Sequence, residues 1–330
     1  MTTRSIGAAG YYSTLILWFD ECPSDLVTDT DTWEGEVLAE QLTSTANILT
    51  ISGITTNATY FITLRAAADA ALMDDYRVLN YNTSYASINS SVSYSNVVVS
   101  NVAYTRFERL QFQKTASNSV LLKIDTAGPQ YVDRCFFKGP GRQNYFLLSE
   151  ASDIIAHFSN SAFFSTYSGP PNIVRVDSDD SSALNCTIMI SSNASVGSGG
   201  SGLHISNRPD VRNCAIFNAG VNPITKLGGA ASSASYCATD ATTIDATSSV
   251  TSLTHADQWT DVDNTGGIDI RLKSGHSLQA GVDASADNGG VDIFGTTYST
   301  GSPIIGCEQD AVAGGLSIPV AMDQYARLRQ

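Results

Sequence analysis

The sequence predicts an all-β chain built as a solenoid of stacked strand–turn–strand rungs, on three observations. The first is a repeat. Four of the six cysteines fall at one position of a recurring segment, in Val132-Asp133-Arg134-Cys135, Ala183-Leu184-Asn185-Cys186, Val211-Arg212-Asn213-Cys214 and Ala234-Ser235-Tyr236-Cys237. Leu110 and Ala162 fit the same slot, so positions 110, 135, 162, 186, 214 and 237 follow one another at intervals of 23 to 28 residues. A period in the twenties marks one supersecondary unit stacked on copies of itself. The second is composition. The 330 residues are 42% apolar but only 15% charged, well under the roughly 25% of an average globular chain, and Ser, Thr, Asn and Gly fill the difference. Such a chain suits pleated faces and tight corners rather than long helices. The third is punctuation: short β-rich runs alternate with turn residues along most of the length.

The elements follow in order. Residues 11–22 are the best helix candidate: Leu15, Trp18, Phe19 and Cys22 stand at i, i+3, i+4 and i+7. Ser13 or Thr14 can cap the start, and Pro23 stops it. A solenoid must cover the apolar cross-section of its first rung, and this helix is the predicted lid. Strands are expected near Glu34–Glu40, Ile48–Ser52, Tyr60–Arg65 and Arg77–Tyr81. Regular rungs then open at Val97–Ser100, Val120–Ile124, Phe146–Leu148, Ile173–Val176, Leu203–Ile205 and Ile224–Leu227. Around nine rungs at about 4.8 Å each are expected, with irregular loops at Gly139–Asn144, Ser165–Asn172 and Ser191–Gly202, the last exposed and able to carry a contact. Four segments result: 1–30, an N-terminal stretch with the capping helix; 31–256, the rungs; 257–310, a C-terminal closing region; and 311–330, a docking tail.

The cysteine slot reads as the inner wall of the coil. Leu and Ala replace Cys there, which a packing position tolerates and a reacting one does not. Equivalent positions on neighbouring rungs lie one strand spacing apart, so Cys186–Cys214 and Cys214–Cys237 are where disulfides could form instead; reduced, buried thiols are the expectation.

At this point the residues resemble the right-handed parallel β-helix proteins. The C-terminal stretch is similar to an ending many of them share: Leu272 with Ser277-Leu278-Gln279-Ala280-Gly281, then Val291-Asp292-Ile293-Phe294-Gly295, then Ile305-Gly306-Cys307-Glu308. The opening, Ser5-Ile6-Gly7-Ala8-Ala9-Gly10-Tyr11-Tyr12 with Trp18, resembles the start of β-helix proteins of tailed bacteriophages. That resemblance implies a structural virion component, a head decoration, head fibre or tail spike. It would be a homotrimer assembled in the bacterial cytoplasm and docked on capsid or tail through Met1–Gly10 and Leu316–Gln330, with host surface glycans as a further partner. The start of the chain, with no apolar stretch ahead of a cleavage site, agrees with that setting. The alternatives are a tailspike-like polysaccharide depolymerase and a non-catalytic carbohydrate-binding adhesin.

Few residues carry chemistry by motif. A net charge of −14 repels phosphate backbones and argues against nucleic acid, and no apolar run of about 18 residues offers a membrane span. Asp177, Asp179 and Asp180 form the densest acidic cluster; paired carboxylates could cleave glycosidic bonds, but Asp-Ser-Asp-Asp is also ordinary corner chemistry. Asp29, Asp31 and Glu34 lack the glycine of a calcium loop. His157, His204, His255 and His276 show no zinc spacing, and His204 points outward from a strand. Asn185 and Asn213 suit stacked corner amides. Tyr76, Tyr81, Tyr85, Tyr94 and Tyr104 would line a subunit interface or a sugar site. The expectation is no catalytic residue, no cofactor, no metal and no enzymatic activity.

Overall fold

The corner that carries the cysteines is where the chain makes its repeat. A computed structural model describes residues 2–309, apart from 45–47, 69, 72–80, 92–95, 116–119, 127, 140–146, 150–153, 167–171, 191–200, 219–222, 228–233, 262–268, 279–280 and 299–302. Just before each cysteine slot, one residue sits in the left-handed region: Arg109, Arg134, Asn160, Asn185, Asn213, Tyr236 and Ser248, at φ between 50° and 57°. Among residues other than glycine, Asn reaches this conformation at least cost, which explains the corner amides Asn185 and Asn213. The kink turns the chain from one short strand into the next, as from Thr105–Glu108 into Gln111–Lys114.

Three parallel sheets result. Among the described residues, sheet one has eight strands, from Thr2–Ile6 and Trp33–Val37 to Asp210–Arg212. Sheet two also has eight, from Gln41–Ser44 to Ala238–Thr239, and sheet three seven, from Leu49–Ile51 to Ile224–Leu227. Among the described residues the chain runs through sheets one, two and three in turn seven times, where around nine rungs were expected. The architecture is a parallel β-helix of the right-handed kind, the hand parallel crossovers take. The predicted opening strands are those of sheet three; the strand expected at Arg77–Tyr81 lies almost wholly outside the described residues. No helix among the described residues is long and apolar enough to cross a membrane.

One register assignment is corrected. Cys135 precedes Phe136, which pairs with Gln111 and Ala162, and Ala162 pairs with Thr187 next to Cys186. The residue in the cysteine slot is therefore Ser161, not Ala162. The slot is an inner-wall position all the same: Leu110, Cys135, Cys186, Cys214 and Cys237 are fully buried, and all six cysteines are free thiols. Each thiol of the slot reaches back to the carbonyl two residues earlier, Cys135 to Asp133 and Cys186 to Leu184 at 3.4 Å. Ser161 Oγ donates in the same way to Ser159 O at 2.8 Å. Burial pushes the Cys135 thiol up, so it stays protonated.

Inside the coil, identical side chains stack. Phe112, Phe137 and Phe163 lie face to face, with ring centroids 4.8 and 4.7 Å apart. Such offset pairs add to the area they bury.

The N-terminal helix is shorter than its apolar pattern suggested. It spans Leu15–Asp20, with Thr14 as N-cap accepting the Leu17 N–H at 3.2 Å. Tyr12 is instead bridged to Ile6 of the first strand. Leu15 and Trp18 are buried, and Trp18 lies so close to Gly35 that a Cβ there would sit 2.6 Å from the indole. That close approach is why the second strand of sheet one carries glycine at this point.

The described residues of 276–309 add no further coil. The three segments of the expected C-terminal ending meet: Ile305 N donates to Leu278 O, Ile293 N to Cys307 O, and Leu272 N to the Glu308 carboxylate. Together they form a flap against the flank of the stack. Tyr298 Oη donates to Asn160 Oδ1 at 2.5 Å, Cys307 N to Thr187 Oγ1 at 3.1 Å, and Asn213 Nδ2 to Val282 O at 2.6 Å. Trp259 and His255 cover Phe217. Sheet two is thus buried on both faces in its later strands, and every residue of Ala162–Ser165 and Thr187–Ile190 is buried for that reason. The tail 310–330 lies outside the described residues.

Candidate functional site

Sheet one keeps its outer face open. Alternation sends every second residue outward, and parallel register stacks those residues in columns across the rungs. One column reads Arg106, Tyr131, His157, Ser182 and Asp210; its neighbour reads Glu108, Asp133, Ser159, Leu184 and Arg212. Above them lies a groove of about 570 Å³. The acidic turn at Asp179 and Asp180 forms one side, and Asp287 and Gly289 of the flap line it as well.

The columns are knitted by short contacts. The Arg106 guanidinium carbon sits 3.8 Å from the Phe61 ring centroid and 5.3 Å from that of Tyr131. Tyr131 stacks on His157 at 5.2 Å. His157 Nδ1 lies 3.0 Å from Ser182 Oγ. Burial draws the His157 imidazole below its ordinary value and so favours the neutral ring, and the Asp180 charge partly opposes that. In the second column, the Asp133 carboxylate accepts from Ser159 Oγ at 2.8 Å, Asn160 Nδ2 at 2.9 Å and Arg134 Nε at 2.7 Å. Arg212 bridges Asp210 and Asp287, each at 2.6 Å, and so ties the flap to sheet one.

The residues singled out from sequence are dispersed. Asp177 is buried and held by Arg175 at 2.8 Å, whereas Asp179 and Asp180 are exposed on the groove, with Asp179 Oδ1 accepting the Arg208 N–H at 2.5 Å. The cluster is a corner, as turn chemistry predicted, and two of its members also border the groove. Glu34 is bound by Arg65 at 3.1 Å and by Thr3; among the described residues no group of three or more His, Cys, Asp or Glu is placed to hold a metal ion. His204 faces outward beside Arg175. His255 packs on Phe217, and burial lowers it to about 4. Tyr81 and Tyr85 pack against the core, while Tyr76, Tyr94 and loop residues 195–200 lie outside the described residues. Arg106, Tyr131, Ser182, Asp210 and Asp287 were missed. The first four stand with His157 one per rung, about 25 residues apart, and outward position at a fixed offset before each corner is the signal that marks them; Asp287 comes from the flap and has no such signal.

No protein-family model and no curated protein matches the chain. Among solved structures it is similar to the crystal structure of the pectin methylesterase from Aspergillus niger. The identity is 14% and the TM-score 0.42, over 86% of this chain and 93% of that chain. That is a likeness of fold alone. The expectation of a chain without enzymatic activity is corrected here. It rested on finding no convincing catalytic constellation along the sequence. Coiling assembles a groove bearing six carboxylates and Arg106 from residues that no linear motif connects.

Proposed function

We propose that the protein is carbohydrate-active and takes an extended glycan in the groove over sheet one. The observation that carries this reading is the column Arg106–Tyr131–His157–Ser182–Asp210, one polar side chain per rung. Parallel strands repeat about every 4.8 Å, so the column offers a periodic row of donors and acceptors to a periodic polymer. Six carboxylates, Glu108, Asp133, Asp179, Asp180, Asp210 and Asp287, line the groove with Arg106, a charge balance that favours neutral or amino-bearing sugars over polyanions. A glycan array probed with the intact chain and with Tyr131→Ala and Arg106→Ala tests it. Binding that weakens in both variants, with unchanged melting temperatures, supports the groove; binding unaffected by either change removes it.

A second reading rests on the opposite end. Tyr11, Ile16 and Leu17 around the capping helix are 68%, 50% and 49% exposed, and large apolar side chains grouped in solvent favour a protein contact. Together with the resemblance to tailed-phage β-helix proteins, this supports a homotrimeric virion component docked on capsid or tail through residues 1–10. Its sheet-one groove would then face host glycans. Analytical ultracentrifugation and particle incorporation of an Ile16→Glu, Leu17→Glu variant test it; a monomer incorporated as well as the parent would refute it.

A further inference from the structure

We propose that Ser182 and His157 form an acyl-transfer pair that removes ester-linked acyl groups from the glycan held over sheet one. The identity of the alcohol rests on the glycan-binding reading; the pair itself rests on separate geometry. Ser182 Oγ and His157 Nδ1 are 3.0 Å apart on adjacent rungs, within reach for proton transfer between a nucleophile and its base. Two further groups act on the imidazole. Tyr131 stacks on its face from the preceding rung, and Asp180, in the turn beside the groove, acts on it through its charge. Both Ser182 and His157 open onto the groove, so a bound acyl group can reach them.

The chemistry balances with water as the only co-reactant. Ser182 gives its hydroxyl proton to His157 Nδ1 as Oγ bonds to the acyl carbon. The ester C–O bond then breaks, and the sugar hydroxyl leaves with the proton from the imidazolium. Water adds to the acyl-serine, its proton passing to His157, and the carboxylic acid departs as Ser182 Oγ recovers its proton. His157 must start neutral for the first step. Tyr131 from the preceding strand, Ser182 from the following one and Asp180 from the turn face it, with Arg106 one strand beyond Tyr131. Burial, the largest influence on it, favours the neutral ring.

The test uses the full chain, a fluorophosphonate that bonds to activated serine with loss of fluoride, and p-nitrophenyl acetate. Mass spectrometry should place the phosphonate on Ser182. The His157→Gln change should slow labelling and acetate release at least about a hundredfold, and Ser182→Ala should abolish both, with melting temperatures preserved. The rate should rise with pH through a midpoint below the ordinary imidazole value. An unlabelled Ser182 together with esterolysis indifferent to both substitutions overturns the pair. If glycan-array binding survives that result, the groove reading stands without the pair; if labelling succeeds but no glycan binds, the reverse holds.

Discussion

Ser161 Oγ accepts the backbone N–H of Cys135 at 3.1 Å from the neighbouring rung. The same contact recurs at the end of the stack, where Ser249 Oγ accepts from Cys237 N at 3.0 Å. Hydroxyl and thiol thus share one slot and serve the same carbonyl two residues back. Ser161→Ala leaves the Cys135 amide without this acceptor and should cost about 1–3 kcal/mol in denaturant unfolding. Ser161→Cys, which restores the thiol of the adjacent rungs, should cost less than the alanine. Equal losses would show that the slot responds to volume and not to hydrogen bonding.

The ring stack at the centre sets a larger scale. Phe137 lies between Phe112 and Phe163, and Phe137→Ala removes contacts on both faces while leaving a cavity. A loss of about 3–5 kcal/mol is expected, read as a lower urea midpoint; Phe137→Leu should lose distinctly less.

The flap hangs on buried polar contacts. Tyr298→Phe strips the hydroxyl from Asn160 Oδ1 and should loosen residues 276–309 before the coils. Limited proteolysis should cut the variant within the flap faster than the parent, with the rungs still protected. Uniform cleavage along the chain would argue against a separately anchored flap.

Asp292 gives the flap a pH dependence. Burial pushes its carboxyl from 3.8 up to about 6, against the pull of the Gln309, Thr296 and Phe294 amides that donate to it. A raised folded value means that the folded state binds the proton more tightly. The resulting stabilisation is complete below 3.8 and is lost as pH rises through about 6. In Asp292→Asn the melting temperature should lose this slope across the window, on top of a constant cost from the Gln309 amide. An unchanged slope would assign the titration elsewhere.

The solenoid was legible because its corners repeat a residue type. Cys, and Asn before it, mark an inner slot and a left-handed turn that few other residues fill as well. Register slipped by one at Ala162 because Ser161 imitates a thiol by hydrogen bonding, which a search for small apolar residues overlooks. The capping helix was recognised from Leu15 and Trp18, yet its first turn was lost to the bridge between Tyr12 and Ile6, a tertiary contact with no local signal. The groove was illegible for a geometric reason. His157 and Ser182 are 25 residues apart in sequence and become neighbours only because both stand outward at the same point of successive coils.

The flap touches Asn160, Thr187 and Asn213, on successive coils, through residues 138, 120 and 69 positions further along the chain. A bare solenoid, joined only between nearest neighbours, can peel from its end one repeat at a time. Here the last coils are sewn to one another by a single thread. Pulled from the C-terminus, the flap must rip away before any later coil unwinds, so force-extension traces should open with one tall rupture. Rebuilding that seam requires closing very long loops, which makes it the slow and final event of folding.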